Sequence, residues 1–93
     1  MITIEKFHIP AKTGGVLSLQ LPGSAIILSL LTQGYEPFLW AMVSPDAQLE
    51  SRHFRWFATG DSLTADVYTK NFVGTVQLRF GPYEYHLFEV SSS

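Results

Sequence analysis

The run Ala25-Ile26-Ile27-Leu28-Ser29-Leu30-Leu31-Thr32-Gln33, the link Gly34-Tyr35-Glu36-Pro37, and the run Phe38-Leu39-Trp40-Ala41-Met42-Val43 decide the fold class of this chain. Two apolar runs of strand length joined by a short segment containing Gly and Pro predict a β-hairpin. In the second run both alternating sets are apolar, Phe38, Trp40 and Met42 against Leu39, Ala41 and Val43. That pattern predicts a strand buried on both faces, and therefore one central in its sheet.

Period two continues on either side. Leu17, Leu19 and Leu21 alternate with Val16, Ser18 and Gln20, the pattern of a half-buried strand. Pro22-Gly23 predicts a turn, with proline presetting φ and glycine accepting a positive φ. Ser51 to Thr59 alternates Arg52, Phe54, Trp56 and Ala58 with His53, Arg55, Phe57 and Thr59, and Thr59-Gly60-Asp61-Ser62 predicts another turn. Leu63 to Tyr68 is open: Ser62 or Thr64 suits the cap of a single helical turn, whereas Val67-Tyr68-Thr69 favours a strand. Phe72 to Phe80 alternates again with Gly74 placed for a bulge, and Gly81-Pro82 turns the chain into Tyr83 to Val90. With Thr3 to Ile9 the count is about seven strands and little or no helix. The expected fold is all-β, a small antiparallel sandwich or barrel, with residues 1–90 as a single domain and 91–93 as a flexible tail.

Composition sets the outer bounds. Ninety-three residues make one domain, and a chain this short buries a modest fraction of its surface, so small domains are often helped by disulfides, metals or oligomerisation. There is no cysteine, which removes disulfides and thiolate zinc sites. Charged residues are 15% against a hydrophobic share of 46% and an aromatic share of 14%. That is sparse charge beside a usual share of about 25%, and it points to self-association, a homo-oligomer. A net charge of −2 excludes a general nucleic-acid coat, which needs many cations to displace counterions. The start has no basic stretch leading into an apolar one. The longest apolar run, Ala25 to Leu31, is far below the roughly 20 residues a spanning helix requires. The expected location is cytoplasmic, without a membrane partner.

The segment Glu50 to Phe57 packs Arg52 and Arg55, two of only six cations, beside Phe54, Trp56 and Phe57. Arginine forks match phosphate oxygens and aromatic faces stack on bases, so Arg52, Arg55 and Trp56 are candidate contacts for a nucleotide-derived ligand. The competing reading is an amphipathic strand with Phe54 and Trp56 in the core and cations at its rim. Lys12-Thr13-Gly14-Gly15 could add a cradle for an anion, although it lacks the order of a true phosphate loop and also reads as a hairpin tip. Tyr35, Tyr83 and Tyr85 are candidate interface residues, since tyrosine couples a large face to a polar tip. His8, His53 and His86 have no local ligand spacing. No metal, cofactor or catalytic residue is expected, because no nucleophile elbow or oxyanion signature is present.

The combination Leu39-Trp40-Ala41-Met42-Val43-x-Pro45, Leu49-Glu50-x-Arg52-x-Phe54-Arg55, Thr59-Gly60, Phe72-Val73-Gly74-Thr75-Val76-Gln77 and Tyr85-His86-Leu87-Phe88-Glu89 resembles a family of small uncharacterised proteins of tailed bacteriophages and prophages, over roughly Glu5 to Val90. That family carries a His-Pro pair after Thr-Gly where this chain has Asp61-Ser62. The resemblance implies a non-enzymatic accessory acting in the host cytoplasm, a counter-defence factor that sequesters a nucleotide signal or binds and blocks a host defence protein. In the second case an aromatic or acidic face would make the contact. A virion accessory is the third expectation.

Overall fold

The computed structural model describes residues 1–65, 67, 71–78 and 84–91. Seven strands form among the described residues: β1 (Thr3–His8), β2 (Leu17–Pro22), β3 (Ile26–Gln33), β4 (Glu36–Val43), β5 (Leu49–Ala58), β6 (Phe72–Gln77) and β7 (Glu84–Val90). They make a three-stranded sheet A in the order β1-β4-β3 and a four-stranded sheet B in the order β2-β5-β7-β6. Every pairing is antiparallel. The architecture is the expected all-β sandwich. Of the stretch 63–68, the described residues 63–65 and 67 hold no strand, and a backbone bond from Val67 N to Thr64 O closes a turn there.

The expected hairpin is β3–β4. Its two-residue turn places Gly34 at φ 58° and Tyr35 at φ 68°, with Gln33 opposite Glu36. Two successive left-handed residues match the twist of the strands they join. At Pro22-Gly23 the left-handed residue is instead Ser24, at φ 64°. Gly23 serves close approach: a Cβ there would lie 3.3 Å from the Gln48 carbonyl, which accepts the Gly23 N–H at 2.9 Å. Lys12 to Gly15 is not a hairpin tip, because β1 lies in sheet A and β2 in sheet B, so that loop crosses between layers.

Alternation builds the core. Leu39, Ala41 and Val43 of β4 face Leu17 and Leu21 of β2, Phe54 and Trp56 of β5, and Tyr85 and Leu87 of β7, all buried. The central position of β4 is as expected, but burial of both its faces is not. Its pattern alternates strictly, with Pro37, Leu39, Ala41 and Val43 buried and Phe38, Trp40 and Met42 only half-buried. The reason is layer number: sheet B covers one side of sheet A, and among the described residues no strand covers the other.

Each edge strand where the sheets meet, β3 and β6, carries an irregularity. The register of β3 against β4 slips between Ile27 and Ser29, and that of β6 against β7 slips between Phe72 and Gly74, the bulge foreseen at that glycine. A Cβ at Gly74 would stand 3.1 Å from the Cβ of buried Leu30. Because a Cβ atom moves only with its backbone, the gap cannot be relieved by a rotamer change. Gly74→Val should therefore destabilise the protein by about 1–3 kcal/mol, read as a lower urea midpoint with an unchanged slope.

Candidate binding cleft and exposed face

Arg52 and Arg55 lie three residues apart on β5, and the period of two sends them to opposite faces. Arg52 shares the inward set with Phe54 and Trp56, and an inward guanidinium requires partners. It has them. Nε and Nη2 donate to Glu89 Oε2 and Oε1, both at 2.7 Å, and Nη1 donates to the Ala25 carbonyl. The fork-to-fork pair is about a quarter exposed on each side, 23% for Arg52 and 30% for Glu89. The hydrogen bonds that Arg52 donates to Glu89 raise the Arg52 pKa above its ordinary value, against a lowering by burial, with the charges of Glu89 and Glu50 adding to the rise. A basic group whose pKa is raised by folding contributes fully at every pH below its unfolded value, so the arginine side of this pair holds until strong alkali.

The pair forms the floor of an open cleft of about 350 Å³ between the β3 and β6 edges. Its walls include Ile26, Leu28, Asn71, Phe72 and Val73. That volume is at the lower end of small-ligand sites, which run from about 300 to 1,000 Å³.

Of the four expected ligand residues, only Arg52 lines this cleft. Arg55 falls on the outer face of sheet B, opposite Phe88 in register. Trp56 is buried and its indole Nε1 donates to the Pro10 carbonyl at 2.9 Å, so its ring packs in the core and is not open to a base. Lys12 is exposed on the loop crossing between the sheets. Among the expected interface tyrosines, Tyr35 is exposed at the hairpin turn, whereas Tyr85 is buried because the odd positions of β7 point inward. Tyr83 lies outside the described residues, as do Ser92 and Ser93 of the expected tail.

The residues that sequence reasoning missed are Glu89, Asn71 and Phe72. For Glu89 a signal was present. It shares parity with Tyr85 and Leu87, as Arg52 does with Phe54 and Trp56, and one acid and one cation on two inward rows of neighbouring strands call for each other.

The two outer faces differ in kind. Sheet B's is laced with hydrogen bonds: Ser18 Oγ to His53 Nδ1 at 2.8 Å, Gln20 to Ser51, and His86 held at 2.8 Å by Thr59 Oγ1 on one ring nitrogen and by Thr75 Oγ1 on the other. Beside His86 is a second hollow, of about 270 Å³, lined by Phe57, Leu63 and Phe88. Asp61 closes the adjoining turn by accepting the Ala58 N–H at 2.8 Å, a structural use for that carboxylate. His8, on β1 of sheet A, lies 3.7 Å from Glu36. Among the described residues no three His, Asp or Glu side chains group as metal ligands, and no helix is long and apolar enough to cross a membrane.

Sheet A's outer face is apolar. On three successive rungs it carries Ile4, Met42 and Ile26, then Lys6, Trp40 and Ser29, then His8, Phe38 and Leu31. The slip in β3 leaves Leu28 exposed as well.

The chain belongs to the family described as a domain of unknown function, DUF7352, whose profile matches residues 1–93. No curated protein and no solved structure matches it significantly.

Removing one member of the floor pair strands the other. Glu89→Ala should cost about 1–3 kcal/mol, below the 3–5 of a fully buried pair because both groups touch water. The double variant Arg52→Met/Glu89→Met should recover most of that loss in the same chemical denaturation measurement.

Proposed function

We propose that this protein is a non-catalytic binding protein that sequesters a small nucleotide-derived ligand in the cleft between β3 and β6. The observation that carries the reading is the fixed Arg52–Glu89 pair at the floor of a cleft with an exposed aromatic, Phe72, and an amide, Asn71, on its walls. The Phe72 ring leans on Phe88, with centroids 5.3 Å apart, and its half-exposed other side offers a face for a base. Asn71 offers both a donor and acceptor for a base edge. The Glu89 carboxylate suits sugar hydroxyls, as acidic residues do in dinucleotide sites. Three of the five N–H groups of Arg52 are used by Glu89 and Ala25, leaving two to face a ligand.

Because Glu89 already neutralises Arg52, the cleft favours the base and sugar over a run of phosphates. This modifies the expected site, whose two arginines and lysine were to grip phosphate. The resemblance to phage and prophage proteins supplies the setting we propose, removal of a nucleotide signal in the host cytoplasm.

The test is a thermal-shift screen with nucleosides, cyclic nucleotides and ADP-ribose-type compounds. A ligand at a hundredfold excess over its Kd adds about 2.7 kcal/mol, a rise of about 10 °C or more for a domain of this size. Phe72→Ala should abolish the shift, against a ligand-free melting temperature lowered by loss of the contact with Phe88. If no compound raises the melting temperature at millimolar concentration, the reading fails.

A further inference from the structure

The outer face of sheet A bears the residues of an interior. Ile4 is 63% exposed, Ile26 56%, Leu31 56% and Leu28 47%, around a half-buried row of Phe38, Trp40 and Met42. Monomers seldom display a contiguous apolar patch beyond a few hundred Å². Sheet B, from the same charge-poor chain, has a mixed exterior, in which the hydrogen-bonded Ser18, His53 and His86 flank the aromatic cluster of Phe57, Phe88 and Phe72. On sheet A the exposed aliphatic residues are the more continuous.

We infer that a second copy of this chain covers that side, sheet A stacking on sheet A about a two-fold axis. Two arguments select this occupant, and the charges set its limit. The first is shape: an open three-stranded face with no deep groove matches another sheet, and stacked sheets pack about 10 Å apart with their strands within about 30°. Two-fold, self-complementary contacts are also the commonest way soluble chains associate.

The second is area. β4 has 8 residues, so at about 3.4 Å per residue and about 4.8 Å between strands the face spans roughly 27 by 14 Å. Two such faces give roughly 750 Å² in flat projection, which side-chain relief lifts towards the 1,000–1,200 Å² where specific interfaces begin. The dimer is then a dissociable one, dependent on concentration.

The limit is charge. One end of the face carries both signs. Lys6 lies across Phe38, its Nζ 4.6 Å from the ring centroid and 3.0 Å from Gln33 Oε1, while Glu36 stands beside His8 at 3.7 Å. An axis along β4 lays Glu36 over Glu36 of the second copy and Lys6 over the β3 rung of Ser29, so like charges keep this end apart and the close contact is made by the rest of the face. The remainder, Ile4, Met42, Trp40, Ile26 and Leu28, needs no charge matching. Ile26 and Leu28 also wall the β3–β6 cleft, so the second copy closes one of its sides.

The experiment is sedimentation velocity on the full chain over a wide range of concentration. The expected result is reversible passage from one chain to two. Ile4→Glu and Leu31→Glu, both exposed and neither lining the cleft, should weaken the dimer by roughly tenfold or more, the cost of an unpaired buried charge. Their far-ultraviolet circular dichroism and cooperative unfolding should stay unchanged. Gln77→Glu, on the exterior of sheet B, should leave the dimer intact. A wild-type chain that stays single at every concentration overturns the inference, even if the face binds a hydrophobic dye. So does a dimer indifferent to Ile4→Glu and Leu31→Glu, or one broken by Gln77→Glu. Ligand binding in the cleft is read separately by thermal shift, so either reading can fail without the other.

Discussion

The inward row of β4, Pro37, Leu39, Ala41 and Val43, against the inward rows of sheet B is the contact on which the rest of the molecule depends. Among the described residues β4 is the only strand of sheet A bonded on both sides, so β1 and β3 are placed by it, and through β3 the edge that meets β6. Its geometry leaves no freedom. A strand turns successive side chains to opposite faces, so the choice that buries Leu39 and Ala41 also commits Phe38, Trp40 and Met42 to the other side. A two-layer sandwich has one interior, and β4 carries enough apolar side chains for two.

The same rule sorts the scarce charges. On β5 it sends Arg52 inward and Arg55 outward, and on β7 it sends Glu89 inward, so a cation and an acid arrive from neighbouring strands at one open end of the sandwich. There water still reaches them, and the bidentate geometry offsets a desolvation cost that deeper burial would make prohibitive. The cleft exists because both flanking edges are irregular. The slip in β3 and the slip in β6 bend the strands at the point where the sheets would otherwise close, and Gly74 lets the rest of the seam approach Leu30.

Much of this was legible in the residues. The strands, the β3–β4 hairpin, the bulge at Gly74 and the central place of β4 all follow from period two and turn chemistry, which act locally. Sheet membership did not follow: nothing in Lys12-Thr13-Gly14-Gly15 distinguishes a hairpin from a crossing, since both need left-handed glycines. Nor does a doubly apolar strand say what covers its second face. At the candidate site, the cluster of Arg52, Arg55 and Trp56 looked coherent because it was close in sequence, but alternation and burial dispersed it. Glu89, distant in sequence and on the matching parity, was the real neighbour. Asn71 and Phe72 lie at the start of β6, and only the meeting of two edge strands gives them a role.

The pairing order of the strands carries a consequence for how the chain reaches this state. Only β3–β4 and β6–β7 join strands adjacent in sequence; β1 must wait for β4, and β2 for β5. Closing those longer loops costs entropy before any contact repays it. The β3–β4 turn, with only Gly34 and Tyr35 between paired residues, is thus the natural place for structure to start, although Tyr35 adopts there a left-handed conformation unfavourable to its side chain. During that interval the first two strands have no partner, and a chain with so few charges has little to keep their leucines and isoleucines from those of a neighbour. Partly folded copies therefore risk sticking to one another before the sandwich closes, a loss that grows with their concentration.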